Sequence, residues 1–328
     1  MSVPELPFTG ERFIPGTRGE IWVEHWHRYH FAARWAAGKR VLDVACGEGY
    51  GSALLAKHAA HVTGVDISEE ALAHARAAYA AQGNLRFEAG SCSALPLADA
   101  SMDLAVSFET VEHIEEQERF LDELARVLAP DGVLVMSCPN KLEYSDRRNY
   151  TNEFHVRELY RDELRALVAK RFAHVAWYGQ RPTFFSVIAP EAQAQPEGHL
   201  LEVTEAAPAQ GQPRLENPLY FLLVASRRAE SLAAVAPALS VLADRDDWVH
   251  KDYEKVMSWL EMVAKERDQL RNAVSLQEAA IGAQRALGEA QAAAHAAEVR
   301  LLEADNARRR GWRWWLRLPL VRLGLLKR

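Results

Sequence analysis

The sequence predicts an α/β fold, a parallel sheet with helices on both faces, followed by a long α-helical coiled coil. Three observations carry that reading. Between about residues 39 and 137, short β-branched runs alternate with Ala/Leu/Glu-rich stretches of helical period. Beyond residue 246, apolar side chains fall into a 4-3 spacing. Hydrophobic content of 49% with 26% charged residues is that of an ordinary globular chain, and no run approaches the roughly 18 apolar residues a spanning helix needs.

In chain order, KRVLDVAC, HVTGVDI, NLRFEAG, MDLAVSF and GVLVMSC read as strands, and 52–58, 69–81 and 117–128 as the helices between them. Asp131-Gly132 reads as the turn after the last of these helices. The runs 172–178 and 219–225 are later strands that complete the sheet, and the Pro/Ala/Gln/Glu-rich stretch 189–217 between them reads as a surface loop. The domain limits that follow are 1–38 for an N-terminal cap, 39–228 for the α/β domain and 229–245 for a linker. The coiled coil occupies 246–307 and a basic aromatic tail 308–328.

In the coiled coil, Val249, Tyr253, Val256, Leu260, Val263, Leu270, Val274 and Ile281 form the seam, with Arg267 in one position. The pattern slips near Gly282 and resumes at Leu287, Ala290, Ala294, Ala297 and Leu301. A solvated single helix would expose that seam, so self-association into a homo-oligomer is expected. Eight of the 39 Lys and Arg lie in the last 21 residues, which hold no acid, so the net charge of −6 hides an acidic body and a basic tail. Trp312, Trp314 and Trp315, set among Leu and Arg with Pro319 as a kink, suit the surface of an anionic bilayer. Docking to a protein is the alternative, and nucleic acid is not an expected partner. Cys46, Cys92 and Cys138 show neither pairing nor metal spacing, and the N-terminus shows no secretory pattern. The expected location is cytoplasmic, peripheral on the inner face of the cell membrane.

The sharpest local signal is VLDVACGEGYG, 41–51, a strand running into a glycine turn that opens a helix. Gly47 and Gly49 give unhindered backbone where a ligand approaches, and Gly51 comes one residue too early for a dinucleotide fingerprint. The segment resembles motif I of class I methyltransferases, D-x-G-x-G-x-G, with Ala45 in place of the first glycine. That resemblance implies a Rossmann-like, seven-stranded methyltransferase sheet and S-adenosyl-L-methionine as cofactor. It assigns Asp66, 23 residues past Asp43, to the ribose hydroxyls. In GSCSALPL, 90–97, Ser91 stands where relatives carry an Asp for the adenine, so Ser91 and the Cys92 backbone are expected to substitute. The expected cofactor contacts are Tyr29, Asp43, Ala45, Cys46, Gly47, Gly49, Asp66, Ile67, Ser91, Cys92, Phe108 and Glu109. Arg12, Glu24, His27 and Tyr29, ahead of motif I, are candidates for a lid over it, an ordinary packing helix being the alternative.

For the reacting end, Glu109, Glu112 and His113 at i, i+3 and i+4 are expected to share a helix face. Their E-x-x-E-H pattern resembles ubiquinone-pathway O-methyltransferases, where such a cluster can hold a divalent cation. A His beside two acids is more often simply hydrogen-bonded, so no metal is expected. Asn152–Glu158 resembles the N-x-F-H-x-R-E segment of methyltransferases from sugar and surface-glycan pathways. Methyl transfer to a hydroxyl needs alignment and removal of one proton, which suits a neutral imidazole. His155 is the first candidate base, with His113 and Glu112 beside it; capping the next helix or packing on Phe154 is the alternative role for His155. The arrangement resembles methyltransferases that modify or terminate O-antigen chains through a coiled coil and a membrane-binding tail. It implies an S-adenosylmethionine-dependent enzyme acting on a sugar of a lipid-linked polysaccharide. A quinone-type O-methyltransferase of small molecules and a non-catalytic, cofactor-binding scaffold are the alternatives.

Overall fold

The computed structural model describes residues 19–183, 201–203, 208–210, 215, 217–233, 239–242 and 248–327. Arg12 and the rest of the N-terminal 18 residues lie outside them. The chain divides into two compact units, Met1–Val249 and His250–Arg328.

The first unit is built on seven strands: β1 Arg40–Val44, β2 His61–Asp66, β3 Leu85–Ala89, β4 Met102–Phe108, β5 Leu128–Pro139, β6 His174–Gln180 and, after a small hairpin, β9 Tyr220–Ser226. Their order across the sheet is β3-β2-β1-β4-β5-β9-β6. The first five pair in parallel, as expected, but β9 runs antiparallel to both β5 and β6. Chain reversal between β6 and β9 places β9 between its neighbours without the crossover helix a parallel strand would need. The hairpin, β7 Leu201–Val203 with β8 Pro208–Gln210, lies within the stretch expected to be loop throughout. Asp131-Gly132 is also not a free turn. It lies inside β5, where the pairing jumps from Met102↔Leu128 to Leu104↔Val133. The turn tendency is spent on that bulge, whose carbonyls are covered: Ser226 Oγ donates to Gly132 O at 2.9 Å and Arg227 Nη2 to Leu128 O at 2.6 Å.

Among the described residues, α2 Tyr50–Ala56, α3 Glu69–Ala78 and α4 Gln117–Val127 follow the expected alternation, with α1 Glu20–Ala32 ahead of the first strand and α5 Arg161–Ala169 before β6. The short α6 Glu230–Ala233 follows β9, and α7 Trp248–Arg310 begins the long helical segment. Ser68 caps α3 by accepting from Ala71 N at 3.3 Å, with Glu69 and Glu70 in its first turn. Alternation along the strands divides the core by face. Leu42, Val44, Leu134 and Met136 pack with Phe120, Leu121, Leu124, Leu164 and Val168 of α4 and α5. Val41, Leu104, Val106 and Val135 pack with Tyr29, Phe31, Leu54 and Leu55 of α1 and α2. Both faces are therefore covered, and the carboxyl edge, where the loops after β1, β2, β3, β4 and β5 emerge, is the edge left for ligands.

In the stretch read as a linker, His27 Nε2 meets Ser240 Oγ at 2.9 Å. The second unit holds most of α7, 63 residues or about 95 Å of helix, and α8 Trp312–Arg322. Every seam residue from Tyr253 to Ile281 named above is exposed, as are Leu287 and Leu301. Arg308–Arg310 close α7, where cations complement the helix dipole. Pro319 sits inside α8 near its end, and Gly324 at φ +71° ends that helix, with Leu325 N bonded to Leu320 O.

Candidate functional site

Three of the five residues after β1 are left-handed: Ala45 at φ +56°, Gly47 at +53° and Gly49 at +79°. The glycines serve different ends. A Cβ on Gly49 would stand 2.4 Å from Phe87 Cζ, and one on Gly51 2.0 Å from Tyr29 Cζ, whereas one on Gly47 would meet nothing within 4 Å. Gly49 and Gly51 are thus packing requirements, and Gly47 faces open space. Asp66, at the end of β2, turns its carboxylate onto the same turn, accepting from Gly47 N and Ser68 N, each at 2.8 Å. Beside it Ile67 is 80% exposed, an apolar side chain standing in solvent. Ser91 Oγ accepts from Ser93 N and bonds Ser93 Oγ, holding the loop after β3. Burial pushes the Cys92 and Cys46 thiols up from their ordinary value.

Asp43 and Tyr29 lie beneath the turn. Asp43 is fully buried and accepts from Tyr29 OH at 3.1 Å and Ser52 Oγ at 2.6 Å. Burial raises its carboxyl to about 7. Tyr29 meets Phe108 edge-on at 5.0 Å. These three brace the glycine turn from the core side.

Glu109 does not share a helix face with Glu112 and His113. It follows β4 in a left-handed conformation, φ +50°, and the short 3-10 turn Val111–His113 starts only afterwards. Its carboxylate turns the other way, accepting from Ser137 Oγ at 2.7 Å and pairing with Arg28 Nη1 at 3.5 Å. Arg28 is 1% exposed, donates Nε to Gln180 Oε1 at 2.6 Å and lies over the Tyr220 ring at 4.3 Å. Glu24, four residues before it, accepts from Tyr220 OH and is raised to about 7, chiefly by burial. Sequence reasoning missed Arg28; its signal was the i, i+4 pair with Glu24 on the apolar face of α1.

The place expected for Glu109 is taken by His155. The segment 152–157 is tied to the turn at 111–113, because Val156 N and Arg157 N both donate to Glu112 O at 2.9 Å. Gln117 Nε2 bridges the carbonyls of Val111 and Arg157. Glu112, His113 and His155 consequently converge, their ligand atoms within 4.8 Å of one another. The tautomers follow from the partners. His113 Nδ1 lies 2.8 Å from Phe154 O, which only accepts, so Nδ1 carries a proton, and Nε2 faces Glu112 Oε1 at 4.0 Å. His155 Nδ1 bonds Glu158 Oε1 at 2.6 Å, and its Nε2 faces Asn152 Nδ2 at 3.0 Å. Asn152 Oδ1 accepts from Phe154 N, which fixes the amide and leaves Nδ2 to donate. His155 does not cap α5, since Glu163 covers Tyr160 N there. Tyr144, in the π-helical turn Leu142–Asp146, stacks on the His155 ring at 5.5 Å. Glu112 is 1% exposed and meets no hydrogen-bond donor at either carboxylate oxygen among the described residues. Burial first, then the Glu109 charge, holds it well above the usual carboxylate range.

Residues 42–136 match the family model described as a methyltransferase domain. The chain is 42% identical over 169 residues to a probable S-adenosylmethionine-dependent methyltransferase of Mycolicibacterium smegmatis, covering 50% of this chain and 63% of that protein. A probable S-adenosylmethionine-dependent methyltransferase of Mycobacterium tuberculosis is 41% identical over 182 residues, 53% of this chain and 64% of that one. A ubiquinone biosynthesis O-methyltransferase of Psychrobacter arcticus is 37% identical over 110 residues, 32% of this chain and 42% of that one. The chain thus spans somewhat less than two thirds of the length of the two mycobacterial relatives and less than half of the Psychrobacter protein.

Proposed function

We propose that this chain, which carries a class I S-adenosylmethionine-dependent methyltransferase domain, methylates a hydroxyl on a sugar of a lipid-linked surface polysaccharide at the cytoplasmic membrane face. The observation that carries the chemistry is His155, with Nδ1–H on Glu158 and its Nε2 lone pair turned into the cluster at the carboxyl edge. The open face of Gly47, with Asp66 and Ile67, would hold the nucleoside, and Ser91 and Cys92 the adenine edge. When bound, S-adenosylmethionine supplies an electrophilic methyl group on a sulfonium.

The chain's own task is then alignment and one proton transfer. His155 Nε2 accepts the acceptor hydroxyl's proton, and Glu158 stabilises the imidazolium that forms. Asn152 Nδ2 occupies that lone pair in this structure and gives way to the hydroxyl. His113, its ring 5.0 Å away edge-on, and Glu112 set the polarity of the site.

The glycan reading is supported by the N-x-F-H-x-R-E segment and by the second unit. The exposed seam of α7 suits self-association. In α8 and beyond, Trp315, Leu316, Leu323 and Leu325 are at least 65% exposed among arginines, which suits an anionic interface. No helix among the described residues is long and apolar enough to cross a membrane. The similarity to a ubiquinone biosynthesis O-methyltransferase favours a second reading, a small aromatic acceptor.

The test is full-length protein with radiolabelled S-adenosylmethionine and a lipid extract from the source organism, beside protein truncated after Arg310. Label in a glycolipid fraction, reduced by the truncation, is expected. Label confined to free small molecules supports the second reading, and cofactor binding without any label supports a scaffold.

A further inference from the structure

We infer that Glu112, His113 and His155 form a binding site for one divalent transition-metal cation of the zinc class. Two nitrogens and one carboxylate are a donor set that such ions accept with a coordination position left open. The set is not the E-x-x-E-H trio, because Glu109 is turned onto Ser137 and Arg28, and His155 comes from a segment some 40 residues further on.

Both imidazoles are already arranged as ligands. A ligating histidine donates its second ring N–H to a carbonyl or carboxylate, which fixes the tautomer and raises the basicity of the other nitrogen. His113 does this to Phe154 O and His155 to Glu158 Oε1. The third donor is the independent observation. Glu112 is 1% exposed, and neither of its oxygens receives a hydrogen bond among the described residues. A buried carboxyl in that state needs a proton or a cation. Zinc bonds of about 2.0–2.2 Å place neighbouring ligand atoms roughly 3.5 Å apart. The observed atoms, within 4.8 Å of one another, close to that span by a swing of the Glu112 carboxylate, whose Oε1 already lies 4.0 Å from His113 Nε2. Asn152 leaves His155 Nε2, the same departure the base requires.

The inference rests on the proposed role of His155, because metal and acceptor proton compete for one lone pair. A loaded site is an inactive one. Metal-free full-length protein is titrated with zinc chloride by calorimetry and with cobalt(II) by visible absorption, without cofactor. One equivalent should bind, with the intense d–d bands of a tetrahedral site. His113→Ala should abolish those bands, and Glu158→Gln, which leaves all three ligands, should weaken zinc binding about 10- to 100-fold. S-adenosylhomocysteine binding by each variant checks that it is folded. Zinc binding that is absent, or equal in wild type and His113→Ala, overturns the site and leaves the base reading standing. Zinc that binds and accelerates methyl transfer overturns the exclusion and the base reading together.

Discussion

Gly51→Ala should damage the fold while Gly47→Ala should damage cofactor binding, although the two glycines stand four residues apart in one turn. The added Cβ at 51 would lie 2.0, 2.2 and 2.4 Å from three Tyr29 ring atoms. Tyr29 has nowhere to move. It is 4% exposed, edge-on to Phe108 at 5.0 Å and to Tyr50 at 5.3 Å, and its hydroxyl is held by Asp43 at 3.1 Å. Overpacking costs about 1–3 kcal/mol, and losing a hydrogen bond to a carboxylate about 1.5–3 kcal/mol more. The sum, roughly 3–5 kcal/mol, lowers the melting temperature of a domain this size by roughly 10 °C. At 47 the new methyl meets nothing within 4 Å, and the cost is only the left-handed backbone at φ +53°, about 1 kcal/mol. That methyl instead enters the space over the turn and should weaken S-adenosylhomocysteine binding about tenfold or more. Thermal denaturation and titration calorimetry on both variants read the two effects. A Gly51→Ala protein melting within about 2 °C of wild type, or a Gly47→Ala protein with unchanged affinity, would refute the division of labour.

Glu24 and Asp43 make stability fall with rising pH. Each carboxyl is raised to about 7 in the fold, from 4.5 and 3.8, so the folded chain holds protons the unfolded chain has released. Their contribution is full below about pH 4 and is lost as pH rises through 7, on the order of 3 to 4 kcal/mol each. Urea midpoints should drop between pH 5 and pH 8, and Glu24→Gln should flatten the slope; a flat wild-type profile would contradict this. Arg28→Met leaves Glu24 and Glu109 without their buried cation and should cost about 3–5 kcal/mol by urea denaturation, much of it recovered when Glu24→Gln is added. Light scattering should report an oligomer for the full chain and a monomer after truncation at Val249. The same number of chains per particle in both would remove the coiled-coil reading.

The glycine turn was legible because backbone requirements select residue types: a left-handed φ and a close ring at 49, and a close ring at 51, leave little but glycine. The place of Asp66 at the end of β2 was legible from the strand pattern, while its role came only from the resemblance. The five parallel strands followed from alternation, whereas LYFLLVA reads the same in either direction, so the antiparallel β9 did not. Glu109 misled because an i, i+3, i+4 spacing presupposes a helix, and a left-handed Glu at a strand end leaves no mark in composition. Arg28 and the meeting of His113 with His155 depend on contacts across the sheet edge. Gln180 is 152 residues from Arg28, and Phe154 is 41 from His113. Glu158 was visible only as part of a resemblance, its role as partner to His155 being set by the loop.

The most direct test of the account is single-turnover methyl transfer from radiolabelled S-adenosylmethionine to the glycolipid fraction by metal-free wild type and His155→Ala. Each protein is first shown by calorimetry to bind S-adenosylhomocysteine. The account predicts equal cofactor binding and a transfer rate lowered about 100-fold or more in the variant. Equal rates in the two proteins would contradict it.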